Sequence, residues 1–248
     1  MRIEIDPRVV AKLLAAAIVL LVIASMIGQI STYYFGHGRL LGLVRLFALD
    51  EERNVPTWYS SMTLLACSAL LALAAANARS RADRWWRHWA ALAIIFLYIS
   101  MDEAATIHEL SIDPLHDLLG IGGLLRWAWV VPGIVFVAVL AVAYLKFLSA
   151  LPTPTRRLFV TAAVLFASGA LVVEMLSGWW FDQYGHLNMG YVLFWTTEET
   201  LEMSGVAVFL YALLRHLGEQ ADAFLVSFAG RPDAAYHRSA DSIPDSVG

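Results

Sequence analysis

Residues 191–214 read YVLFWTTEETLEMSGVAVFLYALL. A helix needs about 20 residues to cross a ~30 Å hydrocarbon layer, and this stretch is long enough to do so. It is apolar at both ends and encloses Glu198, Glu199 and Glu202 in its first half. A membrane-spanning helix that carries three carboxylates fixes the fold class and the place to look for chemistry.

Five more apolar blocks of similar length lie upstream, at about 9–32, 56–76, 89–108, 127–148 and 158–180. The chain is 59% hydrophobic and 15% charged, against about 25% charged in an ordinary soluble domain. The reading is an all-α, polytopic integral membrane protein: a six-span bundle over 1–217 and a polar tail, 218–248, expected to be largely disordered. The first block is too long for a signal-peptide core and lacks a small-residue cleavage site at its end, so it is expected to stay attached. A net charge of −4 excludes nucleic-acid binding through a basic surface. The single cysteine, Cys67, allows no intramolecular disulfide.

Positive charge gives a direction. Thirteen of the 17 Lys and Arg fall at the N-terminus, in the 77–88 and 146–157 connections, and in the tail. Only Arg39, Arg45, Arg53 and Arg126 occupy the alternate connections. The positive-inside rule then puts both termini in the cytoplasm, here the cytoplasmic membrane of a bacterium. In the first outer loop, residues 39–49 (RLLGLVRLFAL) form a short amphipathic stretch suited to the membrane surface. Trp127, Trp129, Trp179, Trp180 and Tyr191 mark outer span ends, as an aromatic belt would.

The acids are the informative part. Asp102 and Glu103 lie late in the third span, Glu174 late in the fifth, and Glu198, Glu199 and Glu202 early in the sixth. Given the alternating directions, three helices bring these groups to within roughly 10 Å of one level, at ~1.5 Å rise per residue. A carboxylate at such depth costs several kcal/mol unless it is neutralised, paired or bound to a cation. Glu198, Glu199 and Glu202 share one arc of about 100°. Asp102 and Glu109 share a stripe with Thr106, but Glu103 and His108 flank it on opposite sides. A straight helix therefore cannot aim all four inward, and unwinding near His108 is expected.

His108, His116 and His186 lie at or beyond outer span ends. Mixed carboxylate and imidazole ligation suits first-row metals, so the expected cofactor is one or two ions of iron, manganese or zinc. The candidate ligands are Asp102, Glu103, His108, Glu109, Glu174, Glu198, Glu199, Glu202 and His186. Glu103 and Glu199 are the candidate catalytic groups. The patterns DExxxxHE (102–109) and EExxE (198–202) do not match the Glu-x-x-His pairs of di-metal bundles, so a paired site is permitted without being signed. In the segment DEERNVPTWYSS (50–61), Asn54 and Pro56 read as a helix start, with Glu52 or Asn54 as a possible rim of the polar site.

Three functions compete. The first is a membrane-embedded metal-dependent enzyme, an oxidoreductase or hydroxylase or a hydrolase, acting on a lipid or other apolar substrate near the outer face. The second is a proton- or cation-coupled transporter using the same acids. The third is a non-catalytic subunit of a larger complex. The inner halves of the spans, such as 90–97 and 206–214, are nearly all apolar. That favours a one-sided site over alternating access.

Overall fold

The computed structural model describes residues 5–220, apart from the side chains of Asp113, His116 and Leu119. Most of the 218–248 tail lies outside the described residues. Among them there is helix and no strand, and six helical spans are long and apolar enough to cross a membrane. The protein is a polytopic membrane bundle.

Helix α1 (Pro7–Phe35) begins where the Asp6 side chain accepts from the Arg8 N–H at 2.8 Å, with Pro7 at the first position. It ends at Gly36, whose φ of 68° supplies a left-handed cap. A short 3₁₀ turn, Leu40–Gly42, and α2 (Leu43–Phe47) form the amphipathic segment. Helix α3 (Val55–Ser80) starts at Asn54, whose side chain accepts from the Thr57 N–H at 3.1 Å. The Asn54 amide also donates to the Ala48 carbonyl at 2.6 Å. Asn54 is thus a helix cap, not part of a polar rim.

Helix α4 (Trp86–Ala105) runs back along α3. The two are joined by Ser61 Oγ to the Ser100 carbonyl at 2.9 Å, Ser100 Oγ to the Ser61 carbonyl at 2.8 Å, and Ser68 Oγ to the Ala93 carbonyl at 2.7 Å. Such interhelical bonds average about 0.6 kcal/mol each in a bilayer. The chain continues through a 3₁₀ turn (His108–Ser111), α5 (Ile112–Leu119) and α6 (Val130–Ala150). The fifth span is composite: α7 (Thr153–Ala167), a π-helical segment (Ser168–Val173) and α8 (Glu174–Tyr184). Helix α9 (Met189–Gln220) closes the bundle.

Helix α9 is central. Half of its most apolar window is buried inside the protein, against 17% for α1 and α6. Small residues let α7 approach it: a Cβ on Gly205 would stand 2.8 Å from the Phe166 nitrogen. The main core lies where α3, α4, α7 and α9 meet, around Leu64, Leu71, Trp89, Phe159, Phe209 and Leu213. Side chains such as Leu20, Ile27, Val139 and Val142 point outward, as lipid contact requires.

Candidate functional site

The acids gather at the bundle end opposite the Ser80–Trp86 connection. Glu198, Glu199 and Glu202 are half-buried on α9. The fifth span reaches them through Gly169, where a Cβ would lie 2.7 Å from the Glu198 carbonyl oxygen and 2.8 Å from Glu202 Cγ. Only glycine allows the two helices to touch at that level. Gly169 lies within the π-helical segment, a rare geometry that recurs at functional sites, and that segment delivers Glu174 as the first residue of α8.

Glu174 is held from two sides. Trp129 Nε1 donates to its Oε1 at 3.1 Å, Ser177 Oγ lies 3.5 Å from its Oε2, and Glu198 on α9 is within electrostatic reach. The tryptophans are themselves positioned. Asp182 on α8 pairs with Arg126 and accepts from the Gly123 N–H at 2.6 Å, tying the turn before α6 to α8. Trp127 Nε1 then reaches Ser177 Oγ at 3.3 Å.

On α4 the helix stops at Ala105 because Thr106 takes a left-handed φ of 54°. The chain turns back on itself, and Asp102 meets His108 twice. Asp102 Oδ1 accepts from the His108 backbone N–H at 2.7 Å, and Oδ2 lies 3.0 Å from Nδ1. The imidazole leans on Trp129, with ring centroids 5.1 Å apart. Burial works against an imidazolium here. The hydrogen bond and charge of Asp102, backed by Glu109 and Glu174, outweigh it and carry His108 above its ordinary value.

The fields of these groups overlap. Glu199 feels Glu202, Glu103, Glu174 and Asp50; Glu202 feels Glu103 and Glu174; Glu103 feels His108, Asp102 and Glu52. Glu52 is half-buried at the rim, where burial and then Glu109 push its carboxyl up against the opposing pull of His108 and Arg53. Asp50 keeps an edge in solvent, yet enough protein surrounds its carboxyl to push it up to about 6.

The structure therefore brings together Asp102, Glu103, His108, Glu174, Glu198, Glu199 and Glu202. Glu109 is exposed at the margin. His186 is not brought in: it is exposed, stacks on Phe181 with ring centroids 5.3 Å apart, and faces a separate groove. The side chain of His116 lies outside the described residues. Among the described residues, no three His, Cys, Asp or Glu side chains stand in an arrangement that holds a metal ion as placed. With both Asp102 oxygens engaged by His108, the free ligand face of that pair is His108 Nε2.

Residues 13–217 match a family described as a domain of unknown function, DUF8692. The chain belongs to that family. No curated protein and no solved structure matches it. The matched region takes in all the carboxylates of the cluster and most of each span. This DUF8692 chain also uses residues at the site that sequence reasoning assigned elsewhere or passed over. Trp129 reads as an aromatic-belt residue, yet it anchors an acid 45 positions away. Gly169 carries no local signal beyond being a small residue ahead of Glu174.

Proposed function

We propose that this protein is a membrane-embedded metal-dependent enzyme, an oxidoreductase or hydrolase of a lipid or other apolar substrate. The observation that carries the reading is the gathering of carboxyls from α4, α8 and α9 around a histidine that Asp102 orients. A carboxylate bound to one imidazole nitrogen fixes the tautomer and frees the other to bind a metal, as in many metal sites. Of Glu103, Glu198, Glu199 and Glu202, three would join His108 in holding an iron, manganese or zinc ion, with Glu103 or Glu199 left as general base.

The 13:4 distribution of Lys and Arg supports placing this site at the non-cytoplasmic face of a bacterial cytoplasmic membrane. Labelling with a membrane-impermeant thiol reagent tests that placement in a Cys67→Ala background. Ser111→Cys is expected to react in intact cells and Ser80→Cys only after lysis; the reverse pattern overturns the orientation.

The deciding experiment is metal analysis of the purified protein beside a Glu198/Glu199/Glu202→Gln triple variant. The expected result is iron, manganese or zinc near one or two per chain, lost in the variant. A folded wild type that neither holds nor takes up metal overturns the reading. The second reading, proton-coupled transport, is favoured by the three acids on one arc of α9, since neighbouring carboxyls cannot all ionise without a proton or cation among them. Against it stands the floor beneath the acids. Phe209, two turns beyond Glu202, stacks on Phe96 and meets Phe159, each at a centroid distance of 4.7 Å. This aromatic layer argues against alternating access.

A further inference from the structure

A groove of about 500 Å³ opens at the same end of the bundle, between the end of α1, the α2 segment and the start of α9. Its lining mixes opposite charges with aromatic rings: Arg39 and Arg45, Asp50 and Glu51, Tyr33 and Tyr191. Two guanidiniums and two carboxyls in one concavity complement a ligand that carries both a phosphate and an amine, since guanidinium forks match phosphate oxygens and carboxylates receive ammonium protons. Arg45 and Glu51 lie 3.4 Å apart, so the two signs are interleaved and not segregated into separate patches. The volume falls within the range of small-ligand pockets, about 300–1,000 Å³. That is enough for a headgroup and glycerol, with acyl chains left outside.

The groove's margin indicates where such a ligand would come from. Leu41 is fully exposed at 102%, and Leu43, Leu46 and Leu187 are exposed beside it. Leucines on a short amphipathic segment are at home in the headgroup–acyl boundary, so the groove's mouth lies among lipid headgroups. Its inner wall lies near the acid cluster without sharing a residue with it. Asp50 is within electrostatic reach of Glu199, and Tyr191 of Glu174 and Glu198.

We propose that this groove binds the zwitterionic headgroup of a phospholipid of the phosphatidylethanolamine type, taken from the adjoining leaflet. The inference rests on the reading of the acid cluster as a site for a lipid or apolar substrate, and it names the class. Its test does not depend on turnover. Full-length protein, delipidated in detergent, is titrated with short-chain phosphatidylethanolamine, with short-chain phosphatidylglycerol and with soluble phosphoethanolamine. Binding is followed by tryptophan fluorescence and native mass spectrometry.

Saturable binding of phosphatidylethanolamine is expected, weakened at least about tenfold in Kd by Arg39→Gln with Arg45→Gln. Phosphatidylglycerol, which lacks the amine, should bind more weakly, and phosphoethanolamine, which lacks the chains, more weakly still. Asp50→Asn tests the amine side separately, and should narrow the gap between the two lipids. Equal binding of both lipids by wild type, or an arginine double variant that binds like wild type, overturns the proposal. So does tight binding of phosphoethanolamine alone, which would make the ligand a soluble zwitterion. The two readings fail separately. The Glu198/Glu199/Glu202→Gln variant keeps lipid binding if the groove is right, whatever its metal content, and the arginine variant keeps its metal if the cluster is right.

Discussion

Asp102 holds His108 by two bonds at once, backbone N–H to Oδ1 at 2.7 Å and Nδ1 to Oδ2 at 3.0 Å. The first bond fixes where the histidine sits and the second fixes how its ring is turned. Asp102 is thus a positioning residue, one step back from any ion on His108 Nε2. In Asp102→Asn, metal affinity should fall 10- to 100-fold, the usual cost of losing such a partner. Zinc titration by calorimetry checks this, and equal affinities would show that the ring is held by other means.

Gly169 supports a packing prediction. Its Cβ-to-be meets backbone, the Glu198 carbonyl at 2.7 Å, which no rotamer change can relieve. Gly169→Ala should separate the π-helical segment from α9 and cost about 1–3 kcal/mol. The readout is a lowered Tm in detergent. Gly218→Ala is the control: it has nothing within 4 Å of the added atom, and its Tm should stay level or rise slightly.

The indole above Glu174 supports a coupling prediction. Trp129→Phe keeps the ring against His108 and deletes only the N–H that reaches Glu174 Oε1. A double-mutant cycle with Glu174→Gln should give a coupling of about 0.6–1.7 kcal/mol, the span seen for polar contacts between membrane helices. Strict additivity would remove the contact from the account of how Glu174 is placed.

Asp50 supports a pH prediction. Its carboxyl rises from 3.8 to about 6 in the folded protein, chiefly through burial. Between those values the folded state binds more protons than the unfolded one, so this group lowers stability as pH rises through that interval. Asp50→Asn should therefore leave Tm unchanged near pH 4 and raise it above pH 7. A gain of equal size at both ends would mean that charge is not the cause.

The spans were legible in the sequence because twenty-residue apolar runs have few alternatives. The helix ends differ from the expected blocks by up to six residues, at Gln220 of α9, and α4 ends at Ala105, three residues short of His108. The expectation that the helix must unwind there came from phase alone, since Glu103 and His108 cannot share a face. The convergence of acids was legible for the same reason: depth and helical phase are local properties of a chain. Contacts that join distant segments were not. Nothing near Trp129 points to Glu174, and nothing near Asp102 says that its oxygens would be spent on His108 and not left open. His186 was grouped with the acids on depth, but a turn led by Gly185, at φ 72°, carries it onto Phe181 instead.

The π-helical segment before Glu174 has a consequence for chain length. A π turn carries one residue more than the α turn it replaces, at close to the same total rotation, so the helices on either side keep their phase. Removing one residue between 168 and 173 would therefore leave a more regular, equally apolar fifth span with Glu174 near its present face. Removing one from α7 instead, where no wide turn absorbs the change, would swing the following face by about 100° and carry Gly169 away from Glu198 and Glu174 away from Trp129. Where a length change falls in this span thus decides whether the site survives it.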